Sequence, residues 1–414
     1  MLGSSRAYSL ALAPQLIYAR SELIGALISS QTTNQLEFLA VGSWFVVKPS
    51  INGVTPEGTI TKVPSSREDI FRDRSLNVRV KRSLMQFLRY VVTYQEQEDW
   101  EQKKSLSFTQ ELENTFGLPA ASHGPLLALA LPSKLSKEMS MQEVLPRIAQ
   151  HLRSIGVLGP GFSAVLPKWG GLAEIVQVAC RACAVGGGVY VLGKGVKAAT
   201  QTFKDQLSLE LSGGEKVTTK WLVGSAEDVP PAVHEASSAA TTVTETTKSI
   251  SIVSSALSSL FPPTFEGGLK PEGAVVVVES TNDMPPVHIF VHTSDAGECP
   301  SGQCVLYAST AESQAFDVLE SAVTSLLRSV GEESVPQVLW RLQYVQRVPT
   351  SSQPLDERPD SNVVMLSPLS TDAVLQDKVM DDVKQAWRKI TGEDDAAFLR
   401  FEAREGFAED EEAV

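Results

Sequence analysis

Residues 166–192 read LPKWGGLAEIVQVACRACAVGGGVYVL, and this stretch decides the fold. The glycine pair at 170–171 leads into a mostly apolar run that is predicted to form a helix. Three glycines at 186–188 then interrupt the helix, and the β-branched residues of 189–192 predict a buried strand. A helix, a glycine break and a buried strand in this order are typical of a doubly wound sheet.

The length and composition of the chain are those of an ordinary globular protein. Its 414 residues allow two domains, and 43% hydrophobic with 21% charged residues is enough for a sizeable core. A net charge of −13 argues against nonspecific binding of nucleic acid, which needs clustered Lys and Arg. No apolar stretch in the sequence reaches the length of a membrane span. Four cysteines do not make a disulfide framework, so a reducing, cytoplasmic setting is expected.

The hydrophobic pattern divides the chain into four parts. Residues 1–68 predict a helix followed by strands, and residues 69–165 predict successive amphipathic helices without a strand between them. Residues 166–392 return to strand patterns, and residues 393–414 predict a disordered acidic tail. The sequence therefore predicts a mixed α/β fold in which a helical subdomain is inserted into a doubly wound sheet domain.

Individual elements follow from periodicity and from turn and capping residues. A strand over 36–47 has a predicted hairpin partner at 59–63, and Ser309-x-x-Glu312 predicts a capping box that opens a helix. The other predicted helices cover residues 7–30, 80–92, 107–116, 143–155 and 371–390. The other predicted strands cover residues 206–211, 216–223, 274–279, 287–292, 305–308, 338–344 and 363–366.

No arrangement of residues in the sequence predicts catalysis. The Cys180-x-x-Cys183 pair could be a redox pair or half of a zinc site. No second pair and no suitably spaced histidine accompany it, so the two residues are interpreted as buried structural cysteines. His288 and His292 fall on a strand pattern and are interpreted as surface or structural residues. We expect no catalytic residue, no metal and no cofactor.

The opening stretch also carries the most specific motif of the chain. It has the form Ala-Glu-Ile-Val-Gln at 173–177, Arg181, and Gly-Gly-Val-Tyr-Val-Leu at 187–192. The same order of motifs continues elsewhere, with RAY at 6–8, VPSSREDIF at 63–71, LMQFL at 84–88 and VLW at 338–340. Together these motifs resemble the Rab GDP-dissociation inhibitor family, and Cys-Arg-x-Cys-Ala-Val at 180–185 favours its Rab escort branch.

This resemblance implies a non-catalytic accessory protein. A protein of this branch is expected to bind GDP-bound Rab GTPases, present them to Rab geranylgeranyltransferase, and deliver the prenylated product to membranes. The expected partners are therefore Rab GTPases, the transferase and the geranylgeranyl lipid. The expected location is the cytoplasm, with transient peripheral association with membranes.

The resemblance also implies a Rab-binding platform within residues 174–191. The matching residues are Glu174, Gln177, Arg181, Val189, Tyr190 and Val191. The physical argument agrees in part, because positions i, i+3 and i+7 of a helix share a face. An acid, an amide and a guanidinium there can form charge-assisted hydrogen bonds with a polar GTPase surface. A polar network within the helix is the alternative. The glycines are interpreted as a tight turn that places Tyr190 beside Arg181.

The helical part, residues 69–165, resembles the family's second domain, which faces the transferase and shelters the lipid. Apolar helices can form such a slot, since burial of a methylene contributes about 0.8 kcal/mol. The candidate lining residues are Leu145, Ile148, Leu152 and Ile155. Ordinary core packing is the alternative for each of them.

The sequence departs from the family pattern in the lead-in at 166–169, at Val176 and at its start. Val176 stands where the family has proline, so the start of the helix can differ. The family's first strand and its Gly-rich turn are not found, which leads us to expect an N-terminally incomplete chain whose sheet lacks its first strand. Two other functions stay open: a dissociation inhibitor that recycles prenylated Rab, and a flavin oxidoreductase, which would need a dinucleotide cradle.

Overall fold

The structure is a computed structural model of the 414-residue chain. The residues that it describes are 1–48, 58–64, 70–71, 73–74, 76–203, 206–225, 227–230, 242–263, 267–279, 284–350 and 361–401. Three predictions therefore fall partly or wholly outside the described residues: the hairpin turn near 50–57, most of the VPSSREDIF segment, and residues 402–414 of the acidic tail.

Within the described residues, the strands form one large sheet and two small ones. In chain order they are β1 (Ile17–Tyr18), β2 (Phe38–Lys48), β3 (Thr59–Lys62), β4 (Ala164–Pro167), β5 (Val196–Phe203), β6 (Gln206–Leu211), β7 (Lys216–Thr219), β8 (Leu222–Ser225), β9 (Thr242–Val253), β10 (Gly273–Val278), β11 (Val287–Thr293), β12 (Cys304–Thr310), β13 (Val338–Thr350) and β14 (Val363–Leu366).

The large sheet has the order β1-β4-β2-β10-β11-β12-β9-β13, and β3 also pairs with β2. Its neighbours are antiparallel except β2 and β10, which run parallel with Phe45 opposite Val276. In the small sheets, β5, β6 and β7 are antiparallel, whereas β8 and β14 are parallel. Because β10 lies between β2 and β11, distant parts of the chain meet in one sheet.

The helices are α1 (Glu22–Ser29), α2 (Val78–Val92), α3 (Trp100–Lys103), α4 (Phe108–Asn114), α5 (His123–Ala128), α6 (Met141–Ser154), α7 (Leu172–Val185), α8 (Phe316–Ser329) and α9 (Lys378–Thr391). Local capping starts several of them, as where the Asn77 side chain accepts a hydrogen bond of 2.9 Å from the Val80 amide. Among the described residues, no helix combines the length and the apolar composition that a membrane span requires.

The large sheet has a hydrophobic core on each of its faces. Alternation along β2 sends Trp44 and Val46 into one core and Phe45 and Val47 into the other. The first core is shared with the helices of the 78–154 region, and the second with α8. The fold is thus the predicted mixed α/β arrangement, in which the helices between β3 and β4 cover one face of the sheet.

The start of the chain differs from its predicted helix over 7–30. Only Glu22–Ser29 is an α-helix, and Ile17–Tyr18 is a strand paired with Val165 and Ala164. Hydrogen bonds with β4 hold the backbone of residues 17–18 in an extended conformation. The helix therefore begins only after Ser21, whose side chain caps it. The strand β4 (Ala164–Pro167) belongs to the large sheet. The last two residues of the predicted helical segment 69–165 therefore lie in that sheet.

The predicted capping box at Ser309 and Glu312 is also wrong. Ser309 belongs to β12 and pairs with β9, and α8 begins only at Phe316. A capping box with the same spacing is present at α6, where the Glu143 carboxylate accepts from the Ser140 amide at 3.0 Å. Two other elements differ from their predicted bounds. The helix α9 starts at Lys378 rather than 371, and the predicted strand 216–223 is divided between β7 and β8.

Candidate functional site

The candidate site is built on α7, which is attached to the sheet domain only near its beginning. Leu172 and Ile175 pack against a small core around Ile17, Ile24 and Val165. No residue of α7 is buried. The helix therefore presents most of its surface to solvent, as a binding helix must.

A strained turn fixes the direction in which α7 leaves the sheet. Trp169 has a φ of +76° and Gly171 a φ of +64°, both in the left-handed region. The Trp169 amide donates a hydrogen bond of 2.8 Å to the carbonyl of Ala296. A Cβ at Gly297 would collide with the Trp169 ring, so glycine is required where this ring packs. No sequence pattern indicates this role of Trp169.

An ion pair supports the same turn. Lys168 Nζ lies 2.7 Å from Glu37 Oε1 and 5.0 Å from the centre of the Trp169 ring. The Lys168 amide also donates to the Glu37 carbonyl at 2.9 Å. These contacts tie the start of α7 to the segment that precedes β2.

The polar residues predicted for the platform occupy one side of α7. Gln177 Nε2 donates a hydrogen bond of 3.2 Å to Glu174 Oε1, as expected for positions three apart on a helix. Glu174 is half-buried, whereas Gln177 and Arg181 are exposed. The predicted helix is confirmed, and its acid, amide and guanidinium are available to a partner. Their role in binding Rab stays a prediction.

The predicted buried strand over 189–192 is wrong. The structure has no strand there, and Val189 and Leu192 are 84% and 90% exposed. The next strand, β5, begins only at Val196. Hydrophobic composition suggested burial, but no neighbouring strand pairs with this segment. It forms instead an exposed apolar loop, to which Tyr190 and Val191 also belong.

Gly188 holds this loop against the end of α7. Its amide donates a hydrogen bond of 2.9 Å to the Cys183 carbonyl, and a Cβ at this position would collide with the Cys183 Sγ. The Cys183 and Cys180 thiols next to the Tyr190 phenol raise its pKa, Cys183 more than Cys180. Tyr190 thus lies near the cysteine pair, and its placement beside Arg181 stays a prediction.

The interpretation of Cys180 and Cys183 as buried cysteines is therefore also wrong. Cys180 is half-buried and Cys183 is exposed, whereas the other two cysteines, Cys299 and Cys304, are buried. The pair lies in the last turns of a helix that has no covering element. The Cys183 Sγ lies so close to Gly188 that a Cβ there would collide with it.

The candidate lipid-lining residues lie on α6. Leu145 and Ile148 are completely buried in the core that faces the large sheet, and Leu152 packs against that core. Ile155 follows the helix and is half-buried. Their contribution to lipid binding stays a prediction, and for Leu145 and Ile148 it would require the helices to separate.

Three histidines are structural. Burial lowers the pKa of His151 to about 3, and its ring lies edge-on to Trp44 with 4.7 Å between centroids. Burial likewise lowers the pKa of His288 to about 4. His292 Nδ1 lies 3.0 Å from the completely buried Glu298 carboxylate. His288 and His292 were interpreted as surface or structural residues, and the structure supports a structural role for both.

Comparisons with known proteins identify a matching family model and a solved structure with a similar fold. The family model for GDI, GDP dissociation inhibitor, matches residues 1–259. A Saccharomyces cerevisiae relative named Rab proteins geranylgeranyltransferase component A is 27% identical over 317 residues, which is 75% of this chain and 49% of the relative. The Drosophila melanogaster protein of the same name is 30% identical over 228 residues, which is 54% of this chain and 42% of the relative.

A solved structure has the same fold over most of the chain. The crystal structure of Rab GDI from Plasmodium falciparum matches with a TM-score of 0.67 at 19% identity, covering 95% of this chain and 85% of that one. The chain spans about half the length of the first curated relatives that it matches.

Proposed function

The chain belongs to the GDP dissociation inhibitor family, and from this premise we propose that it is an escort for Rab GTPases. In this role it binds a GDP-bound Rab GTPase, presents it to Rab geranylgeranyltransferase, and carries the prenylated product to a membrane. It performs no chemistry itself. The names of the yeast and fly relatives, which are components of that transferase, support this choice within the family.

The observation that carries the proposal is the exposed platform formed by α7 and the 186–192 loop. Its polar part consists of Glu174, Gln177 and Arg181 along one side of a helix that has no buried residue. Its apolar part is the loop, in which Val189 and Leu192 are almost fully exposed. An exposed apolar patch beside charged groups is typical of a protein-binding surface.

The two parts of the platform would act differently on a GTPase. The Arg181 guanidinium can donate several hydrogen bonds to carboxylates or carbonyls, and this fixes the orientation of the partner. The apolar loop can remove hydrophobic surface from water, which contributes affinity without strict geometry. Gly188 and the contact of Tyr190 with Cys183 hold the loop on the helix before binding, and a preformed loop loses less conformational entropy.

A binding measurement with two arginine variants tests the platform. Arg181→Ala should weaken the binding of GDP-bound Rab GTPases by about tenfold or more, because a hydrogen bond from a charged group contributes about 1.5–3 kcal/mol. Arg328→Ala is the matched control, since Arg328 is also an exposed arginine near the end of a helix. Isothermal titration calorimetry supplies the affinities, and thermal unfolding checks that both variants fold.

The expected result is a loss for Arg181→Ala alone. Equal affinities for the wild type and both variants, with unchanged melting temperatures, would remove Arg181 from the platform. Failure of the wild-type chain to bind any Rab GTPase, prenylated or not, would overturn the escort proposal itself.

A dissociation inhibitor that recycles prenylated Rab is the second candidate, and the description of the matching family model favours it. In vitro prenylation separates the two functions. An escort should stimulate the transfer of geranylgeranyl groups to Rab by the transferase. A recycling inhibitor should instead extract prenylated Rab from vesicles without any such stimulation.

A further inference from the structure

A completely buried carboxylate lies in the turn that follows β11. Glu298 is fully shielded from solvent, and its Oε2 accepts a hydrogen bond of 2.8 Å from the Tyr307 hydroxyl on β12. His292 Nδ1, on β11, lies 3.0 Å from the same oxygen. The other oxygen, Oε1, has no hydrogen-bond partner among the described residues. Two strands of the large sheet thus hold one carboxylate oxygen, and this fixes the turn over 294–298 on the sheet.

This arrangement is a poor one for stability alone. A buried carboxylate loses its hydration, and an oxygen without a partner recovers none of that loss. Most buried polar groups in folded proteins are paired, so an exception calls for an explanation. The explanation that the structure offers is what the turn over 294–298 holds in place.

The turn held by Glu298 supports Trp169. The Ala296 carbonyl accepts a hydrogen bond of 2.8 Å from the Trp169 amide, and the Trp169 ring packs on Gly297, where a Cβ would collide with it. Trp169 has a φ of +76°, a conformation that costs free energy for a residue with a side chain. Such a residue persists only where its surroundings impose the conformation. Ala296 and Gly297 are these surroundings, and Glu298 follows them directly in the chain.

A second route leads from the same buried group to the start of α7. The Tyr307 hydroxyl, which donates to Glu298, also accepts a hydrogen bond of 3.2 Å from the Ala11 amide. A Cβ at Gly171 would lie 3.5 Å from the Ala11 Cβ, so the two residues are in contact. The Ser9 amide also donates to the Glu298 carbonyl at 3.2 Å. Gly171 immediately precedes α7, so both positive-φ residues at the start of this helix are connected to the buried carboxylate.

We propose that Glu298 is a positioning residue for the α7 platform. Its carboxylate holds the 294–298 turn on the sheet, and the turn holds Trp169 in its strained conformation. Trp169 in turn sets the direction in which α7 presents its polar residues to a partner. The effect of Glu298 on binding rests on the proposed escort function, whereas its effect on Trp169 can be measured in the free protein.

Fluorine NMR of the full chain labelled with 5-fluorotryptophan measures the placement of Trp169. The chain has six tryptophans, and Trp169→Phe identifies the resonance of Trp169. Glu298→Ala should shift this resonance, because the turn under the ring is released. Glu298→Gln should leave it near its wild-type position, because an amide oxygen can replace Oε2 as the acceptor.

A matched variant controls for a general loss of stability. Val323 on α8 is completely buried in the core on the opposite face of the large sheet from Tyr307. Val323→Ala should therefore lower the melting temperature without moving the Trp169 resonance. A merely structural role of Glu298 would give Glu298→Ala the same behaviour.

The same variants test the consequence for binding. Glu298→Ala should weaken the binding of GDP-bound Rab GTPases by about tenfold in calorimetry, as expected when a displaced platform loses one hydrogen bond from a charged group. Glu298→Gln and Val323→Ala should keep the wild-type affinity. Gly297→Ala should weaken binding to a similar extent with the carboxylate intact, because its methyl group displaces the Trp169 ring directly.

Tyr307→Phe is a milder variant, which carries the test if Glu298→Ala does not fold. It removes one hydrogen bond from the carboxylate and keeps the ring. It should therefore shift the Trp169 resonance and weaken Rab binding in the same direction, by smaller amounts.

Two results would overturn the proposal. One is a Trp169 resonance at its wild-type position in folded Glu298→Ala and Tyr307→Phe. The other is an unchanged affinity for Rab GTPases in Glu298→Ala and Gly297→Ala when the wild type binds. Absence of binding by the wild type would count against the escort function instead, and the fluorine spectra would then decide the role of Glu298.

Discussion

Lys248 on β9 is only 7% exposed and forms no ion pair or hydrogen bond with another described residue, so replacing it by Met measures what it costs this protein to bury the ammonium group. Methionine has a similar length and no charge, so it can fill the same space on β9. The wild type keeps a desolvated charge that the variant lacks. We therefore expect Lys248→Met to be more stable than the wild type at neutral pH.

The size of the effect follows from the two pKa values of the lysine. Burial lowers the pKa from an ordinary value of 10.5 to about 8 in the folded protein. A difference of about 2.5 corresponds to roughly 3 kcal/mol of free energy, since one pKa unit is 1.36 kcal/mol. Below pH 8 the side chain is charged in both states and the full cost is present. Between pH 8 and 10.5 the folded state releases its proton and the cost falls, and above 10.5 it is absent.

Urea unfolding of both proteins at several pH values between 6.5 and 10.5 measures this dependence. The stability advantage of the variant should be about 3 kcal/mol near pH 7 and should shrink as the pH rises above 8. Other groups titrate in this range, including tyrosines, but their effects cancel in the difference between the two proteins. Lys197→Met serves as the control, because Lys197 also lies on a strand but is exposed, and its difference should be near zero at each pH.

Two outcomes would refute the reasoning. A variant that is less stable than the wild type at pH 7 would mean that the ammonium has a stabilising partner. An advantage that does not change between pH 7 and 10.5 would mean that the charge is not its cause, and that the methionine gains stability by packing alone.

The remaining predictions concern the loop, the helical core and acid stability. Gly188→Ala should displace the loop from Cys183 and weaken Rab binding severalfold with little change in melting temperature, whereas unchanged affinity in calorimetry would contradict the proposed role of the loop. Ile148→Ala should lower the free energy of unfolding by about 2–5 kcal/mol in urea titrations, because Ile148 is completely buried, and a smaller loss is expected for the half-buried Leu152→Ala. His151 is neutral when folded, with a pKa near 3, so stability should fall as the pH drops below 6.5, where only the unfolded state binds the proton. In parallel pH titrations, the slope in His151→Gln should be shallower than in the wild type, and an equal slope would argue against this cause.

The elements with a strong local signal were predictable. The strand β2, its partner β3 and the helix α7 were all expected within a few residues of their observed bounds, because their periodicity is regular and their ends carry glycine or turn residues. The order of short motifs along the chain also indicated the family that the family model later matched.

The errors arose where a local pattern suits two structures. The segment 189–192 has the composition of a strand, but it lacks a neighbour to pair with and is exposed. Ser309 and Glu312 have capping-box spacing, but pairing between β12 and β9 keeps Ser309 in a strand. In both cases the presence or absence of a distant strand decided the outcome.

The burial of Lys248 has one signal in the sequence. Lys248 shares its parity along β9 with the apolar Ile250 and Ile252, so an inward-facing lysine could have been suspected. Its neighbours Ser309 and Tyr344 could not have been named, since they are about 60 and 100 residues further along the chain.

By itself, the sequence determined the mixed α/β class, the family and the position of the α7 face that carries Glu174, Gln177 and Arg181. These features depend on short-range spacing along the chain. The backbone geometry of a helix or a strand places residues with the right spacing on the same face. Only the tertiary structure decided that the loop after α7 is exposed, that His151, His288 and His292 are buried, and that Lys248 has no partner among the described residues. Burial and pairing depend on which strands become neighbours, and in this sheet the neighbours come from distant parts of the chain.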